Sequence, residues 1–166
     1  MSCDPGWPLH FEAERALLEP VLAPWLEGGI HHIGSTAIPG IAAKPVIDIM
    51  AGVRDLEESR AAFEPLRECS YLRDPHRPRI AHHFAKPSLE RPTHGLHLTQ
   101  PGSDLWCERL AFRDALRNSP ALAAEYETLK LRLAREHGRD GSAYTRHKRP
   151  FVARVLAGAG IPLGQR

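Results

Sequence analysis

One aspartate constrains this chain more than any other residue. The segment from Pro45 to Val53 reads PVIDIMAGV, and its single charge is Asp48. It is apolar at alternate positions of both registers, the pattern of a central strand covered on both faces. An unpaired carboxylate is expensive to bury, so a cation, a metal ion or several donors must hold it. Side chains alternate along a strand, so the next residue on the face of Asp48 is residue 50. That residue is Met50, a thioether that is no ligand for a hard divalent cation.

The elements around this strand follow from periodicity and turn chemistry. Leu9 to Leu26 reads as a helix with Phe11, Leu18, Leu22 and Trp25 near one stripe, kinked or restarted at Pro20 and ended by Gly28-Gly29. Ile30 to Ile33 is a short strand, followed at once by Gly34-Ser35. Asp55-Leu-Glu-Glu58 resembles a capping box and starts a helix through Leu66. A basic, proline-rich loop, YLRDPHRPR, leads to strands at 79–86 and 94–100, with PSLERP between them as a hairpin connection. Three helices close the chain. Ser103 caps one with Leu105, Arg109, Phe112 and Leu116 on a stripe, and Ser119-Pro120 opens the next. Ser142 to Ala157 is the last, with Tyr144, Lys148, Phe151 and Val155 together. The expected class is α+β, a small mixed sheet covered by helices with a helical C-terminal segment. Residues 1–166 are read as one domain, since no repeat or linker interrupts them.

Composition narrows the function classes. The 166 residues are 42% hydrophobic and 25% charged, a globular balance. No stretch approaches the apolar length of a membrane span, and the N-terminus has no signal-peptide pattern, so a cytoplasmic location without membrane association is expected. The three cysteines, Cys3, Cys69 and Cys107, form no CxxC and no disulfide framework. A net charge of +2 gives no case for nucleic-acid binding. Of 22 basic residues only Lys44, Lys86, Lys130 and Lys148 are lysines.

Three readings compete for Gly34 to Asp48. A P-loop fails on spacing, because Lys44 lies four after Gly40 and no Ser or Thr follows it. A purely structural turn leaves the charge of Asp48 unexplained. The third is a nucleotidyltransferase-type site: backbone N–H groups of the Gly-Ser turn cradle phosphates, and a carboxylate on the next strand holds Mg²⁺ or Mn²⁺ bridging them. Two metals would need at least two carboxylates.

The stretch HIGSTAIPGIAAKPVIDI resembles the signature of the GrpB family, placed within the nucleotidyltransferase-fold superfamily. FRDALR (112–117), YETLK (126–130), YTRHKRPFV (144–152), and the segment with Arg79, Phe84, Lys86 and HGLHL extend the likeness over the whole chain. The resemblance implies a nucleotidyltransferase-like fold with the Gly-Ser turn after the first strand and a metal-site aspartate, Asp48, on the second. The superfamily carries a second acid on that strand, where this chain has Met50, and a third on a later strand, where it offers His94 and His97. Family members fused to dephospho-coenzyme A kinase hint at a nucleotide or coenzyme A context.

The expected ligand is therefore a nucleotide or phosphorylated small molecule. Asp48 is the candidate metal ligand and catalytic carboxylate, and His97 the candidate general base. Gly34, Ser35, Thr36, Lys44, Arg79 and Lys148 are the candidate phosphate contacts. Lys86, Arg113 and Lys130 are further candidate clamps. The alternative is a catalytically inactive ligand- or partner-binding module of the same fold, which Met50 favours.

Overall fold

The computed structural model describes residues 1–164. Its element order is α1 (Trp7–Leu22), β1 (Leu26–Ile33), a 3₁₀ turn at Ser35–Ala37, β2 (Ile47–Val53) and a second 3₁₀ segment at Glu58–Ala62. Then follow α2 (Phe63–Glu68), β3 (Leu72–Asp74), β4 (His82–Lys86), β5 (His94–Thr99), α3 (Asp104–Arg117), α4 (Pro120–His137) and α5 (Gly141–Gly158). The five strands form one mixed sheet in the order β1-β2-β5-β4-β3. β2 and β5 run parallel and every other neighbouring pair is antiparallel. This is the expected α+β class.

Several boundaries differ from expectation, each for a local reason. α1 starts at Trp7 and runs through Pro20 without a restart, because Pro20 lies in its last turn, where the lost N–H costs one bond. Residues 23–26 leave the helix. Gly28 and Gly29 do not end it but lie inside β1 at φ +82° and +88°, where the pairing with β2 shifts register between Leu26 and Ile30. Asp55 does cap, accepting a bond from Glu58 N–H at 2.8 Å, but the turn it opens is 3₁₀ before α2 begins at Phe63. The loop YLRDPHRPR contains the edge strand β3, which three polar-flanked residues did not advertise. β4 begins at His82, so Arg79 lies in the preceding turn and not in a strand. The caps Ser103 and Ser119 accept bonds from Trp106 and Leu122 N–H as their spacing predicts.

Two apolar clusters hold the fold. The larger lies between α1, α2 and one face of the sheet: Phe11, Leu18 and Leu22 meet Ile47, Ile49, Ala51, Val53, Leu96, Leu98 and Phe84. The smaller joins α3, α4 and α5 to the loop after the 3₁₀ turn, through Leu116, Ala123, Tyr126, Phe151, Ile38 and Ile41. Strand alternation therefore turns the odd residues of β2 toward α1 and its even residues toward α3 and α5.

Candidate functional site

The face turned toward α3 and α5 carries the chemistry. Asp48 opposes Ile33 on β1 and Gly95 on β5, and Met50 opposes His31 and His97. The aspartate sits between two glycines. A Cβ on Gly34 would fall 2.6 Å from Asp48 Oδ2, and one on Gly95 2.9 Å from Oδ1. Gly34 also has φ +74°, a conformation that side chains other than glycine resist. Glycine at both positions leaves the carboxylate oxygens free of a neighbouring Cβ.

No hydrogen bond or ion pair holds Asp48 among the described residues. Burial pushes its pKa up to about 6, and the charges of Arg109 and Lys148 pull against that rise. Arg109 comes from α3 and Lys148 from α5, so two helices aim cations at one carboxyl without closing a salt bridge on it. Lys148 Nζ lies 5.0 Å from the centroid of the Tyr144 ring, and Lys44 Nζ lies 5.9 Å from the same ring. Lys130 and Lys148 stand 5.0 and 5.9 Å from the Tyr126 ring. Three of the four lysines thus converge on two tyrosines, within cation–π reach.

Some charged side chains that a sequence offers as ligand clamps grip the protein's own loop. Lys130 is buried and donates from Nζ to the Ala42 carbonyl at 2.9 Å, and Glu127 accepts from Ala42 N–H. Burial, reinforced by Lys148, lowers the Lys130 pKa to about 8. Arg113 donates to the His32 carbonyl at 3.2 Å and pairs with Asp114, while Arg117 donates to the Ala37 carbonyl at 2.8 Å. These carbonyls bracket Gly34-Ser35, so α3 and α4 fix the turn and the loop bearing Lys44 from behind.

The candidates from the sequence separate accordingly. Gly34 and Lys148 stand by Asp48, Lys44 meets Lys148 at the Tyr144 ring, and His97 opposes Met50 on the same sheet face, while Ser35 follows Gly34 in the turn; the space over Asp48 between these groups is the candidate cleft. Thr36 does not present its hydroxyl to it: Oγ1 is buried, donates to the Val46 carbonyl at 3.1 Å and therefore accepts from His32 Nε2 at 2.9 Å. Arg79 is exposed in its turn. Lys86 lies on the opposite face of the sheet, paired with buried Glu14, which also accepts from Tyr71 Oη at 2.6 Å. His94 belongs to the same opposite-face network, 3.7 Å from Glu14, and not to the cleft. Sequence reasoning missed Arg109 and His83. Arg109 had the signal that marked Lys148, a charge on an otherwise apolar helical stripe. His83 faces the cleft beside His97, with the two Nδ1 atoms 2.8 Å apart.

Met50 is fully buried. Among the described residues no group of three His, Cys, Asp or Glu is placed to hold a metal ion. The donor set does not fit a two-metal centre. Asp48 is the carboxylate on this face that could hold a single Mg²⁺ or Mn²⁺.

The likeness to known proteins extends over nearly the whole chain. The chain is 38% identical over 159 residues to the glutamate-rich protein GrpB of Alkalihalophilus pseudofirmus, covering 91% of this chain and 89% of that one. It is similar to the crystal structure of the conserved protein GrpB from Enterococcus faecalis, with a TM-score of 0.85 and 29% identity over 96% of this chain and 95% of that chain. The family model for GrpB protein matches residues 1–157, and the chain belongs to the GrpB family.

Proposed function

We propose that the cleft over Asp48 binds a phosphorylated small molecule, with a nucleotide as the favoured class. The observation that carries this reading is the unpaired Asp48 in its glycine-walled niche, faced by Arg109 and Lys148. Cations that converge without carboxylate partners are held ready for an anion, and phosphate oxygens satisfy them best. Lys148 and Lys44 would meet the phosphates from one side, with the Gly34-Ser35 turn from the other. Arg109 would offset charge nearer the imidazoles. Asp48 would hold a single Mg²⁺, which would supply positive charge to the phosphates. In a nucleotidyl-transfer reaction the acceptor would attack the α-phosphate in line, with pyrophosphate leaving and these cations stabilising the charge that develops.

A second reading is supported by Met50. Its place beside Asp48 on the strand face removes the second acid of a two-metal site, which suits a binding module without transfer chemistry. Thermal shift with ATP, GTP, CTP, UTP, coenzyme A and dephospho-coenzyme A, each with and without Mg²⁺ or Mn²⁺, tests the first reading. One ligand is expected to raise the midpoint of the wild type and to lose that shift in Lys148→Met. A shift that needs the metal and vanishes in Asp48→Asn places the ion on Asp48. No shift from any ligand would contradict small-molecule binding and favour a partner-binding module.

A further inference from the structure

His83 on β4 and His97 on β5 are directly opposed across the antiparallel pair, and both lie on the face of Asp48. Their rings meet edge to face, 4.7 Å between centroids at 87°. The separation of the Nδ1 atoms, 2.8 Å, is a hydrogen-bond distance. Two N–H groups cannot face each other at that distance, and two lone pairs would repel. One Nδ1 therefore donates and the other accepts, so the pair shares a single proton and its two rings hold opposite tautomers. The outward nitrogens follow: one Nε2 is a lone pair and the other is an N–H. Neither Nε2 has a hydrogen-bond partner among the described residues. Among the described residues the one sealed side-chain polar atom left without a partner is His82 Nδ1, on the other face, so neither Nε2 is completely sealed.

We propose that His83 and His97 form a proton relay, in which His97 takes a proton at Nε2, its Nδ1 proton crosses to His83 Nδ1, and His83 releases its Nε2 proton. The step balances: one proton enters, one leaves, both rings end neutral, and each has exchanged tautomer. The reverse movement resets the pair. On the exit side His76 lies 6.0 Å from His83 between ring centroids, on the exposed loop after β3.

The relay answers a difficulty with His97 as a base. Burial, helped by His83 and Arg109, lowers its pKa to about 3, so a lone His97 would hold a proton poorly at neutral pH. His83 is lowered too, by burial, with His76, Arg109 and Arg77 acting in that direction and Asp74 against it. Passing the proton on as it arrives means that no imidazolium has to persist. The use of the relay, to accept a proton from a ligand group in the cleft, rests on the function proposed above. The relay itself does not.

Nitrogen-15 NMR of histidine-labelled protein without any ligand tests it. The wild type is expected to show His83 and His97 in complementary tautomers that interchange. In His83→Gln the side-chain amide keeps a hydrogen bond but cannot pass a proton. There His97 is expected to settle in one tautomer, with its ring N–H exchange slowed about tenfold or more. Two Nε2–H tautomers in the wild type would overturn the relay, and so would unchanged exchange in His83→Gln. The wild-type spectrum decides the first point even if the variant folds poorly. Loss of nucleotide binding with these signals intact would count against the function proposed above and leave the relay standing.

Discussion

The two faces of the sheet treat their carboxyls in opposite ways. On the α1 face, buried Glu14 is closed on all sides by Lys86, Tyr71 and His94. Burial alone would raise its pKa, but the bonds from Lys86 and Tyr71 and the charges of Lys86 and His94 outweigh that and lower it. On the α3 and α5 face, Asp48 has cations in view and none in contact, and burial wins. Two carboxyls in one sheet therefore shift in opposite directions. The paired charge is part of the fold, and the charge left unpaired at a cost is the ground for the ligand site proposed above.

The contrast can be broken at several points. The largest effect is expected from Lys86→Met, which leaves Glu14 buried without its cation and should cost about 3–5 kcal/mol in denaturant unfolding. Gly34→Ala combines the left-handed φ with a Cβ against Asp48. It should cost roughly 2 kcal/mol and abolish any ligand-dependent thermal shift. Thr36→Val strands the Val46 carbonyl and His32 N–H, for about 1–3 kcal/mol by the same assay. Gly95→Ala crowds Oδ1 without a φ penalty and should sharpen the distinction, reducing ligand affinity while the midpoint moves little. Arg79→Ala, in an exposed turn, should stay within about 0.5 kcal/mol of wild type and bind ligand normally.

Much of this was legible in the residues. A central strand with one buried charge, the Gly-Ser turn before it and the helix caps all came from patterns that act locally. Edge strand β3 was not legible, because three residues make no period. The assignment of cations was legible only in part. Lys148 and Arg113 are both helical bases next to a bulky aromatic, Tyr144 one turn before the first and Phe112 adjoining the second. One reaches the cleft and the other binds the His32 carbonyl, a choice made by packing across 81 residues of chain. The Thr36 hydroxyl was misjudged for the same reason: its acceptor, Val46, lies ten residues on. The pairing of His83 with His97 depends on strand register, which adjacent histidines in a sequence do not reveal.

The central claim is that Asp48 is kept at a cost to the fold, and its pH dependence tests this most directly. Its folded pKa, about 6, lies above the ordinary 3.8. Ionisation is therefore disfavoured in the native state: the penalty is absent below pH 3.8, grows through the window to about 6 and is complete above it. The lowered pKa values of His32 and His97 give the opposite slope below pH 6.5, since neutral imidazoles are favoured by the fold. Those contributions cancel when wild type is compared with Asp48→Asn. The measurement is the difference in unfolding free energy between the two proteins from pH 4 to pH 8. We predict that Asp48→Asn gains on wild type by roughly 1–3 kcal/mol as pH rises through this window. A flat difference would show that the fold bears no cost for the Asp48 charge, and one that moves in favour of the wild type at pH 8 would show Asp48 to be a structural ion-pair partner; either would contradict the assignment of the cleft.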